Sequence, residues 1–203
     1  MIFTATRLSG AFFVDIESRH DDRGFFARAF CRREFAAHGL KPDVAQASIA
    51  FNRRKGIIRG LHFQYSPAAE TKLVRCTRGG VLDVIVDLRP ESATYLQHLA
   101  VELTADNRRA LYVPERFAHG YQVLEDNSEL TYHLGEFYTP AAEGGIPYDD
   151  PRLDIAWPLP VTDLSERDSH WPPLALIEHD LRERMAIPSG AGTAGRRPAA
   201  ESA

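Results

Sequence analysis

The segment Gly56-Ile-Ile-Arg-Gly-Leu-His-Phe-Gln64 carries charged and titratable groups within an otherwise apolar pattern. Its aliphatic and aromatic residues predict a buried β-strand, and Thr71-Lys-Leu-Val-Arg-Cys76 predicts a second one. Arg59, His62 and Lys72 lie on these two strands. Because an unpaired charge is strongly destabilising in a dry interior, these groups either pair with carboxylates or face a wet cavity that handles an anion.

The composition of the 203-residue chain is that of an ordinary globular protein, with 44% hydrophobic and 26% charged residues. The formal net charge is -4, whereas most nucleic-acid-binding proteins are basic. The sequence shows no apolar run long enough to span a bilayer and no signal-peptide pattern after Met1. Cys31 and Cys76 are too few for a disulfide framework. We therefore expect a cytoplasmic protein that binds neither nucleic acid nor membranes.

Short runs of β-branched and aromatic residues, separated by Gly, Pro, Asn and Asp, make up most of the sequence. Repeated short strands of this kind predict an all-β sandwich or barrel rather than alternating strands and helices. The predicted strands are Ala11–Ile16, Phe25–Phe30, Ala45–Asn52, Ile57–Gln64, Thr71–Thr77, Gly80–Leu88, Tyr95–Leu103, Arg109–Val113, Ala118–Val123 and Ser128–Phe137.

Two short helices are expected beside these strands. Cys31–His38 contains good helix formers and precedes a glycine, and Leu174–Met185 is a second candidate. Thr139–Pro160 is rich in proline and aspartate and predicts a structured loop. We expect residues 1–187 to form a single domain and residues 188–203 to be a disordered tail, because the tail has too little apolar surface to bury.

Two sequence blocks resemble the ligand blocks of metal-binding cupins, which are small β-barrels of the jelly-roll type. Gly56 is followed after five residues by His62-Phe-Gln64, and Pro114-Glu-Arg-Phe-Ala-His119 follows later. Gln64 stands where the second histidine of the first block would be, and Arg116 stands where the glycine of the second block would be. Because a catalytic metal commonly takes three or more protein ligands, we predict no metal. A metal-dependent oxygenase or isomerase that uses His62 and His119 is the alternative.

A longer series of motifs resembles the dTDP-4-dehydrorhamnose 3,5-epimerase family along nearly the whole chain. The joint order and spacing of the motifs carry the resemblance, since each motif alone is weak. They are Asp22-Arg-Gly-Phe-Phe26, Arg59-Gly-Leu-His-Phe-Gln64, Lys72-Leu-Val-Arg75, Asp83-Val-Ile-Val-Asp-Leu-Arg89, Pro114-Glu-Arg-Phe-Ala-His-Gly120, Gly144-Gly-Ile-Pro-Tyr-Asp-Asp-Pro151, Trp157-Pro158 and Leu164-Ser-Glu-Arg-Asp168. The resemblance implies an all-β cupin-type jelly-roll barrel and a cofactor-independent isomerase.

The resemblance also implies roles for four residues in epimerising a nucleotide-linked 4-keto-6-deoxy sugar. The carbonyl of such a sugar acidifies the C–H bonds at C3 and C5, so epimerisation needs a base, an acid and stabilisation of an enolate. His62 matches the base and Asp168 its carboxylate partner. Tyr132 matches the proton donor on the opposite face, and Lys72 lies at the family position beside the developing oxyanion.

Further positions match substrate-binding positions of the family. Arg23 and Arg59 match the arginines that hold the diphosphate, where a guanidinium forms bidentate contacts. Phe26 lies where the family places an aromatic ring against the nucleotide, from the same subunit or from the partner of a homodimer. The remaining expected substrate-binding residues are Gln46, His119 and Tyr138.

Each of these residues also has a purely structural interpretation. A single histidine is more often a hydrogen-bonded structural group, and a single lysine usually lies at the surface. Tyr132 alone would be a core aromatic residue, Asp168 a carboxylate at a helix start, and Arg59 a partner of Asp83 or Asp87. One mechanism that uses all of these residues together favours the enzymatic interpretation.

Two departures from the family pattern leave the substrate open. Arg28 replaces a glutamate that often follows the Arg-Gly-Phe-Phe motif, and the polar residues of Gln46–Asn52 are rearranged. The nucleotide, the sugar, and epimerisation at C3, C5 or both therefore stay open. A non-catalytic sugar-nucleotide-binding protein is a further alternative.

Overall fold

The computed structural model describes residues 1–187, so the predicted tail lies outside the described residues. Within this range the chain forms thirteen β-strands and two α-helices. The strands are β1 (Ile2–Ala5), β2 (Phe12–Asp15), β3 (Arg19–Asp21), β4 (Gly24–Phe26), β5 (Gln46–Asn52), β6 (Ile58–Gln64), β7 (Lys72–Arg78), β8 (Gly80–Asp87), β9 (His98–Thr104), β10 (Ala110–Val113), β11 (Phe117–Val123), β12 (Ser128–Leu134) and β13 (Glu143–Gly145). The helices are α1 (Arg32–Ala37) and α2 (Leu174–Met185).

Two antiparallel sheets pack face to face. A six-stranded sheet has the order β1-β2-β10-β7-β12-β5, and a five-stranded sheet has the order β13-β6-β11-β8-β9. Residues from both sheets form one buried cluster, which includes Val74 and Leu111 from the first sheet and Ile85, Leu103 and Phe117 from the second. Their alternate side chains point inwards because successive residues of a strand face opposite sides. The all-β jelly-roll prediction is confirmed.

The helices cover the outer faces of the sheets. Phe35 of α1 packs on the six-stranded sheet together with Leu73 and Tyr112. Leu174 and Leu181 of α2 are fully buried in a cluster on the outer face of the five-stranded sheet. None of the helices in residues 1–187 is long and apolar enough to cross a membrane.

The predicted elements are mostly confirmed, with errors at their ends. Three predicted strands extend beyond the observed ones. Phe25–Phe30 includes the exit of a hairpin, and Tyr95–Leu103 includes a turn at Leu96 with a positive φ of 62°. Ser128–Phe137 includes residues beyond Leu134. Three short strands, β1, β3 and β13, were not predicted. They have three or four residues each, too few to show an alternating pattern.

The strands β6 and β11 approach each other closely at two glycines. A Cβ atom on Gly60 would lie 2.6 Å from the Cα atom of Gly120, and a Cβ atom on Gly120 would lie 2.7 Å from the carbonyl oxygen of Arg59. Only glycine fits such a contact. This approach places His62 opposite His119 in the strand register.

Candidate active site

A cavity of about 290 Å³ opens between the two sheets and is lined by most of the predicted site residues. The five-stranded sheet contributes residues of β6 and β11, whereas the six-stranded sheet contributes residues of β7 and β12. Of the predicted residues, the cavity is lined by Arg59, His62, Lys72, His119, Tyr132 and Tyr138. Arg59, His62 and Lys72 therefore line a cavity, and two of them, His62 and Lys72, are also paired with carboxylates, so both alternatives from the sequence apply.

His62 and Asp168 form a hydrogen-bonded pair. Nε2 of His62 lies 2.5 Å from Oδ1 of Asp168, and the carboxylate is almost completely buried. The other carboxylate oxygen accepts the backbone N–H of Gly60 at 3.2 Å, and the indole N–H of Trp171 donates to Oδ1 at 3.3 Å. With Nε2 engaged by the carboxylate, Nδ1 is the ring nitrogen left to accept a proton.

The surroundings of Asp168 keep its carboxyl group ionised. Burial alone raises the pKa of this group, but its hydrogen bond with His62, the charge of that ring and the N–H of Gly60 together hold the pKa below its usual value. Asp168 begins a short 3₁₀ turn, Asp168–His170. This position agrees with the structural interpretation of Asp168 as a carboxylate at a helix start. The carboxylate nevertheless forms its hydrogen bond with His62 and does not cap that turn.

A second histidine–carboxylate pair lies beside the first. Nε2 of His119 is 2.8 Å from Oδ1 of Asp83, and both residues are buried. The second oxygen of Asp83 has no hydrogen-bond partner within the described part of the chain. Asp83 is therefore a partner of His119 and not of Arg59.

Lys72 and Arg59 bring positive charge to the cavity. Nζ of Lys72 forms an ion pair with Glu70 at 3.2 Å and donates to the carbonyl oxygen of His62 at 3.5 Å. Arg59 donates from Nε to the side-chain oxygen of Asn52 at 2.8 Å and from its terminal nitrogen to the carbonyl oxygen of Phe51. The guanidinium has no carboxylate partner among the described ion pairs, so its charge remains available to an anion.

Tyr132 stands on the sheet that faces His62. Burial raises the pKa of its hydroxyl well above the usual value, and the nearby Tyr121 and the Asp83 carboxylate add to this rise. A tyrosine with a raised pKa keeps its proton at neutral pH. This hydroxyl can therefore donate a proton to a group in the cavity.

Four predicted site residues lie outside the cavity lining: Asp168, which is connected to the cavity through His62, and the three described next. Arg23 and Phe26 belong to the β3–β4 hairpin, where the Arg23 side chain is 90% exposed and Phe26 is 77% exposed. Arg23 pairs with Asp21 of the same hairpin. The side-chain oxygen of Gln46 accepts the backbone N–H of Tyr138 at 2.8 Å, so Gln46 holds a neighbouring segment of the cavity wall.

Several cavity residues were not predicted as site residues. Glu143 and Arg167 form an ion pair at 2.7 Å at the wall, and the hydroxyl of Tyr138 donates to Glu143. Their positions depend on the packing of the segments after β12, which no local pattern reveals. The unpredicted lining residues are Ala50, Phe63, Gln64, Glu70, Tyr121, Leu134, Glu143 and Arg167.

The cavity offers a poor donor set for a metal ion. Gln64, which occupies the expected position of a cupin ligand, donates to the carbonyl oxygens of Ala68 and Phe137 and accepts the backbone N–H of Thr139. The residues 1–187 contain no group of three or more His, Cys, Asp or Glu side chains arranged to hold a metal. Both cavity histidines are instead paired with carboxylates.

The family model for dTDP-4-dehydrorhamnose 3,5-epimerase matches residues 5–175 of the chain. The chain belongs to this family. A relative from Methanothermobacter thermautotrophicus, named dTDP-4-dehydrorhamnose 3,5-epimerase, is 41% identical over 175 residues, which cover 85% of this chain and 94% of the relative. A relative from Streptomyces niveus, named dTDP-4-dehydrorhamnose 3-epimerase, is 36% identical over 183 residues, 90% of this chain and 86% of the relative.

The solved structures agree with the family assignment. A crystal structure of dTDP-4-dehydrorhamnose 3,5-epimerase from Bacillus anthracis, with TDP and PPi bound, has a TM-score of 0.83 and 35% sequence identity. The similarity covers 85% of this chain and 99% of that chain. The epimerase resemblance and the isomerase class predicted from the motifs are confirmed, and the alternative functions are not favoured.

The lowered pKa of Asp168 provides a test of the His62–Asp168 pair. In Asp168→Asn, the free energy of unfolding should fall by about 1–3 kcal/mol near neutral pH, because a charge-assisted hydrogen bond is lost. The folded-state pKa of Asp168 is lowered, so its stabilising effect is present above the unfolded-state pKa and disappears as the pH falls through the folded-state value. The difference between wild type and variant should therefore be constant above about pH 5 and shrink progressively as the pH falls below about 4. Denaturant unfolding across this range measures it.

The matched control is Asp149→Asn, since Asp149 is exposed. This control should change stability by less than about 0.5 kcal/mol at every pH. A pH-independent difference between wild type and Asp168→Asn would contradict the assignment of an ionised, hydrogen-bonded Asp168.

Proposed function

We propose that this protein epimerises a dTDP-linked 4-keto-6-deoxy sugar at C3, C5 or both, without a cofactor. The observation that carries the proposal is the placement of His62 and Tyr132 on facing sheets of one cavity. An epimerase must remove a proton from one face of a carbon and return one to the other. We also propose that residues 1–187 act as one cupin-type catalytic domain.

His62 serves as the base in this proposal. The 4-keto group acidifies the neighbouring C–H bonds, and Nδ1 of His62 accepts the proton from one face of the sugar. Asp168, hydrogen-bonded to Nε2, then stabilises the imidazolium that forms. The elements β6 and the Asp168–His170 turn hold the two side chains in this arrangement.

Lys72 stabilises the enolate oxygen that develops at C4. A preorganised cation near a developing oxyanion lowers the barrier more in a partly dry cavity than in water. Glu70 orients the ammonium group through its ion pair at 3.2 Å. The hydrogen bond from Nζ of Lys72 to the carbonyl oxygen of His62 places this cation beside the base.

Tyr132 returns a proton to the opposite face of the carbon. Because its pKa is raised, the hydroxyl carries its proton when the enolate forms. One inversion therefore uses His62 only as the base and Tyr132 only as the acid.

The nucleotide end of the substrate is bound at the rim of the cavity. Within residues 1–187, Arg59 offers a guanidinium without a carboxylate partner, which suits the diphosphate. Arg167, Glu143 and Tyr138 form a connected polar group on the same wall and supply further contacts. His119, paired with Asp83, contacts the sugar from the five-stranded sheet.

Deuterium incorporation in heavy water tests the proposed reaction. Wild-type protein incubated with a dTDP-linked 4-keto-6-deoxy sugar should place solvent deuterium at C3, C5 or both. His62→Ala should lower this exchange by about 10²–10⁴-fold because the base is absent. Tyr132→Phe should keep exchange and lose inversion. Nuclear magnetic resonance of the recovered sugar separates the carbons and the two faces.

The control for His62→Ala is His179→Ala, because the His179 side chain is 92% exposed on α2. This control should exchange at the wild-type rate. The proposal fails if wild-type protein exchanges neither carbon of the dTDP-linked sugar, or if His62→Ala and the control behave alike. Parallel incubations with CDP- and GDP-linked sugars establish the nucleotide preference.

We further propose a homodimer in which the β3–β4 hairpin of one subunit completes the site of the other. Two large apolar side chains on the outer face of edge strand β5 are exposed, Ile49 by 69% and Phe51 by 44%. An exposed apolar sheet face of this kind supports self-association. Within one chain, Arg23 and Phe26 lie on an exposed hairpin away from the cavity lining, which supports a contribution to the partner's site.

Mixing two inactive variants tests the exchange of hairpins. Arg23→Ala and His62→Ala should each be poorly active, whereas an equilibrated equal mixture should recover about one quarter of wild-type activity. Half of the dimers are then mixed, and one of the two sites in each mixed dimer has both residues intact. Sedimentation measures the dimer in the same samples.

The control mixture pairs His62→Ala with Lys72→Ala, whose residues lie in one cavity of a single chain. In mixed dimers of this pair neither site is intact, so no activity should return. Recovery limited to the Arg23→Ala mixture supports the exchange. Equal activity in both mixtures, or a monomer in sedimentation, contradicts it.

A further inference from the structure

Trp171 packs against the His62–Asp168 pair, and the reaction proposed above gives it no role. It follows the short turn Asp168–His170 and has an extended backbone, with φ of -61° and ψ of 135°. Pro172 comes next, and a proline disfavours the helical region for the residue before it. The proline therefore ends the turn at Trp171 and restricts the direction from which the indole projects.

The indole of Trp171 contacts both members of the pair and the adjacent strand. Its N–H donates to Oδ1 of Asp168 at 3.3 Å. Its ring meets the imidazole of His62 edge to face, with 6.2 Å between the ring centroids and 66° between the ring planes. It also lies against Gly145, where a Cβ atom would come within 2.1 Å of the indole ring. Gly145 is paired with His62 in the register of β13 and β6, so the indole is held against the strands that carry the base.

The carboxylate of Asp168 depends on its donors for a single orientation. The torsion of an aspartate carboxylate about its last bond is broad, so the side chain alone does not fix the plane of the two oxygens. One oxygen accepts the backbone N–H of Gly60 at 3.2 Å, and the other accepts the indole N–H of Trp171. Each oxygen is therefore held by a donor other than the base. Nε2 of His62 meets Oδ1 in this orientation and leaves Nδ1 for the sugar.

The other tryptophan of the chain shows a contact of the purely structural kind. Trp157 is also half-buried, and its indole N–H donates to the backbone carbonyl oxygen of Tyr148 at 2.9 Å. Side-chain donors in proteins bond mostly to the backbone or to water. The indole N–H of Trp171 instead meets the carboxylate that holds the base. The cavity lining within residues 1–187 does not include Trp171, so any effect on the sugar is exerted through the pair.

We propose that Trp171 is a positioning residue for the base, which holds the Asp168 carboxylate and the His62 ring so that Nδ1 faces the carbon to be deprotonated. This inference rests on the proposed function, in which His62 is the base. In the deprotonation step, the proton moves from the sugar carbon to Nδ1 and the C–H electron pair moves into the enolate. The imidazolium remains bonded to Asp168, and Trp171 keeps its own proton throughout. The rate of this step therefore depends on the orientation that the indole maintains.

Trp171→Phe tests the inference, because it removes the indole N–H and keeps an aromatic ring beside His62 and Gly145. The turnover number for deuterium exchange should fall about tenfold, the low end of the effect of one hydrogen bond to a charged group, since this contact is 3.3 Å long. KM should stay within about twofold of wild type, because the ring does not line the cavity. Inversion should fall by the same factor as exchange, because the acid is untouched.

Asp168→Ala separates a positioning role from a general loss of structure. Without the carboxylate the indole N–H has no group to orient, so adding Trp171→Phe to Asp168→Ala should change the slow remaining exchange by less than about twofold. A tryptophan that only supports the fold would lower exchange by the same factor in both backgrounds. Long incubations in heavy water measure the slow variants, and denaturant unfolding of each variant sets conditions under which it is folded.

The matched control is Trp157→Phe, which removes the other indole N–H and leaves the His62–Asp168 pair intact. Its turnover number, KM and ratio of exchange to inversion should equal those of wild type.

The inference and the proposed function fail in different ways. A wild-type turnover number in Trp171→Phe, or an equal fall in the wild-type and Asp168→Ala backgrounds, overturns the role of Trp171 and leaves His62 as the base. An equal fall in Trp157→Phe assigns the effect to loss of any indole N–H and also overturns the inference. Exchange at the wild-type rate in His62→Ala overturns the assignment of the base itself.

Discussion

The buried carboxylate of Asp168 is the interaction on which the site depends. It joins a segment beyond the barrel to strand β6 through His62 and through the backbone of Gly60. Without a hydrogen-bonded partner, a histidine on a buried strand would be costly, and its ring would not have a fixed orientation. The same contact thus satisfies a polar group in the fold and prepares a base. The His62–Asp168 pair therefore contributes both to the stability of the fold and to the proposed chemistry.

The two-sheet architecture separates the base from the acid. His62 belongs to the five-stranded sheet and Tyr132 to the six-stranded sheet, so a ring placed between them presents one face to each. Lys72 and Arg59 place positive charge where an enolate and a diphosphate need it. The glycines at positions 60 and 120 let the strands β6 and β11 approach closely enough to bring the two histidine–carboxylate pairs together. The fold and the proposed reaction therefore share the same geometric requirement.

The sequence predicts the fold class and the residues that belong to compact motifs. His62, Lys72 and Tyr132 fall on recognisable strands, and alternation places their side chains on the inner face. Partners that meet only through tertiary packing were not predicted, such as Asp83 beside His119 and Asn52 beside Arg59. These contacts depend on strand register and on how the sheets face each other, and a shift of one residue would reverse the face. The hairpin residue Arg23 shows the same limit, because a single chain does not bring it to the cavity.

The placement of a sugar between two opposed catalytic groups is the central claim of this account. A crystal structure of Tyr132→Phe with a dTDP-linked 4-keto-6-deoxy sugar tests it most directly. The account predicts Nδ1 of His62 within about 3.5 Å of C3 or C5 on one face of the ring, and the ring of residue 132 against the other face. The 4-keto oxygen should point to Lys72. A sugar that contacts His62 and position 132 with the same face, or that lies outside the cavity, would contradict the account.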